Sequence, residues 1–92
     1  NQSMNVQQMA AGCVDAVVNG FGTLSVLECS QAIKLMLPAI TPALRETIVM
    51  NKTALWSMVR IGANERYDNF DAGTLETYFE QVIEAVLAEP AA

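Results

Sequence analysis

Three sets of side chains in this 92-residue chain have chemistry to offer: Ser25, the pair Cys13 and Cys29, and the ladder Glu76, Glu80 and Glu84. A serine at the start of a helix can carry an attached group, or it can cap the helix by accepting a backbone N–H. Two cysteines can bridge or stay as buried thiols, but alone they are too few ligands for a metal. Carboxylates four residues apart share one helix face. A catalytic pair among them would need burial and a cleft to set their pKa values apart, and nothing in the pattern provides either. Histidine is absent, which removes the commonest general base, metal ligand and neutral-pH switch. No catalytic, cofactor-binding or metal-binding residue is assigned, and the expectation is a protein that is not an enzyme.

The elements that must position these groups all read as helices. The periodicity predicts a first helix over about 4–19, with Val6, Met9, Cys13 and Val17 in one stripe and Ala10, Val14 and Val18 widening it. Asn19-Gly20 is expected to close it, since both residues tolerate a left-handed C-cap. Ser25 with Glu28 three places on is a capping box, flanked by Leu24 and Cys29 at staple positions, and opens a second helix over 26–37. That helix is apolar nearly all round (Val26, Leu27, Ile33, Leu35, Met36, Leu37), with Gln31 and Lys34 on its wet side, and Pro38 ends it.

Thr41-Pro42 starts a third helix, expected to run from 42 to 61 and stop at Gly62. Leu44, Ile48, Leu55 and Val59 form one stripe, interrupted by Asn51 and Lys52. Val49 and Trp56 lie on a second stripe, and Met50, Met58 and Ile61 on a third, which predicts burial on more than one side. Residues 63–70 read as a polar loop. Asp71 caps a fourth helix over 72–88, with Phe70 and Leu75 at staple positions, a clean apolar face from Leu75 to Leu87 and the glutamate ladder behind it. Pro90 closes the fold and Ala91-Ala92 are a tail. Asn51-Lys52-Thr53 matches a glycosylation acceptor, but it falls in mid-helix and is read as coincidence. The fold class is all-α: one domain over 1–92, a small four-helix bundle whose first two helices form a hairpin, expected to be dimeric. Cys13 and Cys29 fall on the two arms of that hairpin, so a bridge and two buried thiols both remain open.

Composition explains why a partner is expected. Counted with glycine and without tyrosine, 51 of 92 residues are apolar, or about 55% against a typical 45–50%. A chain this short has too little interior to hide that much apolar surface. Ten acids oppose five bases, which argues against direct nucleic-acid binding. The acidity is local: residues 1–63 net +1 and residues 64–92 net −6. No run is long and apolar enough to span a membrane. No signal peptide is legible, and the cytoplasm is the expected location, with a leader removed before Asn1 left open.

The candidate partner-binding residues are Val49, Met50, Trp56 and Met58 on the third helix and Glu76, Glu80 and Glu84 on the fourth. Tryptophan is favoured at interface hot spots and methionine adapts to irregular partners. The glutamate face would dock a basic protein or imitate nucleic acid. For Trp56 the alternative is core packing, and for the ladder a plainly solvated face.

Two resemblances bear on function. "LSVLE" around Ser25 resembles the attachment site of acyl carrier proteins, which are also small, acidic four-helix domains. That family has Asp immediately before its serine, where this chain has Leu24, and a long first loop, where this chain has only residues 20–24. The run from "MNVQQMAAGCVDAVVNGFG" through "LWSMVRIGANERYDNF" to "TLETYFEQVIEAVLAEP" resembles the small bacterial quorum-sensing antiactivators of the QslA type. Those proteins bind the LasR-like, LuxR-type transcription factor and prevent its productive dimerisation. The resemblance implies sequestration of a transcription factor's ligand-binding domain with no DNA contact by this chain. It lies in overall character, so no contact residue is carried over. A second class is an immunity or inhibitor protein stapled by Cys13–Cys29.

Overall fold

The computed structural model describes residues 6–37 and 39–88, with the side chains of 6, 7 and 9–11 outside that description. The expected start of the first helix at residue 4, the stripe positions Val6, Met9 and Ala10, the stop at Pro38 and the tail from Pro90 therefore lie outside the described residues or side chains. Five helices and no strand are found among those described: α1 (Val6–Gly20), α2 (Val26–Met36), α3 (Pro42–Met50), α4 (Lys52–Arg66) and α5 (Ala72–Leu87).

The long third helix of the sequence pattern is two helices, and the cause is local. Thr47 Oγ1 donates to the Ala43 carbonyl at 2.9 Å, and the Asn51 side-chain amide donates to the Thr47 carbonyl at 2.7 Å. Side chains that bond carbonyls four residues back bend helices. The Asn51 backbone N–H then spreads over Thr47 and Ile48, at 3.1 and 3.2 Å, and its ψ of 14° leaves the helical range. The expected stop at Gly62 is also corrected. The helix continues to Arg66, so only 67–70 of the predicted loop 63–70 is non-helical, and Ala63 is fully buried. Gly62 serves close approach: a Cβ there would lie 2.7 Å from Val14 Cγ1.

The α1–α2 turn carries a related correction. Gly20 belongs to α1, and the left-handed residue is Gly22, at φ 85°. Gly20 is small because a Cβ would lie 3.0 Å from the Tyr78 hydroxyl and 3.3 Å from Leu24. The caps are as expected. Ser25 Oγ accepts from the Glu28 N–H at 3.1 Å while Glu28 Oε1 accepts from the Ser25 N–H at 3.0 Å. Thr41 Oγ1 accepts from Leu44 N–H at 3.1 Å, and Asp71 Oδ1 from Gly73 N–H at 3.1 Å.

Packing pairs α1 with α4 and α2 with α5, with α1 also against α2. The core they enclose holds Cys13, Val17, Val18, Cys29, Ile33, Ile48, Leu55, Val59, Ala63, Leu75, Phe79, Val82, Ile83 and Val86. One stripe of each helix supplies these buried residues, and Trp56, on a second stripe of α4, packs half-buried against them. The expectation of burial on several sides fails for α2, where Leu27 and Leu35 face outward, and for α3 and α4, where Val49, Met50, Met58 and Ile61 do.

Candidate functional site

Four of the seven candidate partner-binding residues come together. Val49 from α3, Trp56 from α4, and Glu76 and Glu80 from α5 line one groove of about 380 Å³, joined by Lys52, Thr53 and Phe79. Val49 and Trp56, seven residues apart, keep to one side across the helix break at Asn51 and face the wall that α4 and α5 form. Lys52, Thr53 and Trp56 lie along one flank of α4, as i, i+1 and i+4. Glu76, Phe79 and Glu80 lie along one flank of α5, as i, i+3 and i+4.

Phe79 is fully buried, and the half-buried Trp56 ring lies over it with centroids 5.7 Å apart and planes inclined by 37°. Trp56 is therefore both core and groove lining, which merges the two readings of the sequence. Lys52 Nζ stands 4.0 Å from Glu80 Oε2, with both side chains about half exposed. An exposed pair at that distance contributes about 0–1 kcal/mol. The Glu76 side chain makes no hydrogen bond or ion pair with any described residue.

The other three candidates are elsewhere. Met50 is 76% exposed next to Val49 but outside the groove lining. Met58 follows Trp56 by two residues, about 200° round the helix, and so faces the other flank of α4. Glu84 is exposed one turn beyond Glu80. The sequence pattern missed Lys52, Thr53 and Phe79 as groove residues. The signal was present in the spacing of Lys52 to Trp56 and of Glu76 to Glu80, but which flank of α4 meets which flank of α5 is not a local property.

Ser25 and the cysteines are structural here. The Ser25 hydroxyl oxygen turns back to the Glu28 N–H of its own helix, and the Ser25 backbone N–H, with its hydroxyl second, holds the Glu28 carboxyl below the ordinary glutamate range. Cys13 and Cys29 are free and buried. Burial, reinforced by the neighbouring Cys29, raises the Cys13 thiol from about 9 to about 11. Cys29 is also raised by burial, and its thiol donates to the Ala16 carbonyl at 3.4 Å. These are protonated thiols at neutral pH, without the lowered pKa of a nucleophile. Tyr78, beside the Cys29 sulfur, is raised by burial and by that contact. Among the described residues no cluster of three His, Cys, Asp or Glu could hold a metal ion, and no helix is long and apolar enough to cross a membrane. No protein-family model, curated protein or solved structure matches the chain.

Proposed function

We propose that this chain is a non-catalytic regulatory protein that works in the cytoplasm by binding another protein, and that it rests as a homodimer. The observation that carries the reading is the set of large apolar side chains left in water: Leu35 at 88% exposure, Met50 at 76%, Leu27 at 63% and Ile61 at 58%. Single exposed hydrophobics are ordinary. Leu27 and Leu35 face outward about two turns apart on α2, either side of Gln31, while α3 and α4 add Val49, Met50, Met58 and Ile61. In a domain this small, such surface favours a covering partner.

The resemblance to quorum-sensing antiactivators makes the ligand-binding domain of a LuxR-type transcription factor the first partner to try. In that role the apolar surface would cover the factor's own dimerisation face. The test is gel filtration with light scattering, on the protein alone and mixed with such a domain. A dimer alone and a new complex in the mixture support the reading. A clean monomer at micromolar concentration that binds no apolar dye removes its main support, and absence of a complex rejects the LuxR-type partner. Trp56→Ala should weaken the complex more than it weakens folding. Equal binding by the folded variant would make Trp56 a purely internal residue.

A further inference from the structure

We infer that the groove between α4 and α5 receives an arginine side chain, followed by an adjoining apolar residue, from an amphipathic helix of the partner protein. This rests on the protein-binding reading above and says where on the chain one partner contact lies and what chemistry it has.

Charge comes first. The groove holds two carboxylates, Glu76 and Glu80, against one cation, Lys52. Lys52 leans on Glu80 at 4.0 Å and leaves Glu76 with no partner among the described residues. On α5 the acidic face continues with Glu84, while on α4 Arg60 follows Trp56 by one turn, outside the groove lining. A cation fits this wall, and an anion does not.

Shape selects the cation. Trp56 lies over buried Phe79 and is itself only half covered, so an indole face borders the carboxylates. A guanidinium is planar, stacks on an aromatic face and pairs with a carboxylate through two parallel N–H bonds. An ammonium is a compact, strongly hydrated point charge and uses the ring and the carboxylate less fully. The volume, about 380 Å³, exceeds what one arginine side chain fills. Val49, 54% exposed, supplies an apolar wall for the residue one helical turn away. Anchors at i and i+3 or i+4 are how an amphipathic helix presents two neighbouring side chains to a groove.

Lys52 makes the inference sharp. It competes with the incoming arginine for Glu80 and repels it, so its removal should tighten binding. The probes are three 14-residue amphipathic peptides that share a leucine face and carry arginine, lysine or glutamine on the other. Binding to the full chain is followed by amide chemical shifts and calorimetry. The arginine peptide should bind saturably and move the resonances of residues 49–56 and 76–80. The glutamine twin should bind at least tenfold more weakly, with the lysine twin between them. Glu76→Gln should cost the arginine peptide about tenfold, and Lys52→Met should tighten it several-fold. Both positions are solvent-facing, and circular dichroism checks that the variants fold.

The proposal is overturned if the three peptides bind alike, if the shifts fall on Leu27 and Leu35 of α2, or if no saturable shift occurs. Its fate is separable from that of the protein-binding reading. A transcription-factor complex lost with Leu35→Glu but kept with Glu76→Gln/Glu80→Gln overturns the groove and spares the reading. A groove that takes the arginine peptide in a chain that forms neither dimer nor complex does the reverse.

Discussion

The two sides of α5 are built on opposite terms. Where its first turns meet the α1–α2 turn, nearly every polar group has a partner. Tyr67 Oη donates to the Val18 carbonyl at 2.8 Å, and Tyr78 Oη to the Leu24 carbonyl at 3.2 Å. Phe21 packs against both rings, with centroids 6.3 and 5.9 Å away, and Tyr67 reaches Phe70 at 6.4 Å. Arg66 at the end of α4 clasps Asn19 and, at 2.8 Å, Asp15 on α1. Where α5 meets Trp56 and Lys52, by contrast, a carboxylate is unpaired, the one ion pair is long, and an indole is half in water. The locked end ties loops to helices far apart in the chain. The groove ties the fold only through the long Lys52–Glu80 pair and leaves the Glu76 carboxylate without a partner among the described residues.

That contrast can be broken or sharpened by stability measurements. The largest effect is expected from Phe79→Ala, since the ring is fully buried beneath Trp56; chemical denaturation should show a loss of about 3–5 kcal/mol. Gly62→Val should follow, with a loss of about 1–3 kcal/mol from overpacking, because even a Cβ would meet Val14 at 2.7 Å. At the locked end, Tyr67→Phe should cost about 1 kcal/mol for the lost hydrogen bond to Val18, and Ser25→Ala a similar ~1 kcal/mol for the cap. In the groove, Glu76→Gln/Glu80→Gln should leave the denaturation midpoint within a few tenths of a kcal/mol, since it also relieves an i, i+4 repulsion. A large loss there would place the carboxylates in the fold and erase the distinction.

The cysteines give the matching pH test. Burial raises the Cys13 thiol from about 9 to about 11. The folded state therefore holds its proton more tightly than the unfolded chain. The sign follows: stability is fully present below pH 9 and declines as pH climbs toward 11. Cys13→Ser should flatten that alkaline decline in thermal melts, though the variant starts lower for burying a hydroxyl. An undiminished decline would assign it to other groups. Asp71 acts at the other extreme. The Thr74 hydroxyl, at 2.6 Å, and the Gly73 N–H hold its carboxyl below the ordinary range. Its contribution is present at neutral pH and lost as pH falls through that lowered value, and Asp71→Asn should blunt the acid limb of the melting curve.

Local chemistry was legible because it is local. Ser25 with Glu28, Thr41 with Pro42, and Asp71 each announce a helix start within four residues, and all three caps form as read. The failures have two causes, one distant and one local. Gly62 and Gly20 look like helix stops to a local rule, but each is small because a distant side chain, Val14 or Tyr78, presses on it. The polar break at Asn51 was visible as an interruption of the stripe, yet a continuous helix fits the same letters. Side-chain bonds from Thr47 and Asn51 to carbonyls four residues back decide it.

By itself the sequence determined an all-helical chain, its caps, its excess of apolar residues and its acidic last helix, since these follow from residue type and short-range spacing. Only the tertiary structure decided that α2 turns Leu27 and Leu35 to water and that Val49, Trp56, Glu76 and Glu80 share one groove. A helix with several apolar stripes has several ways to pack, and the choice among them is made by the neighbours it meets rather than by its own period.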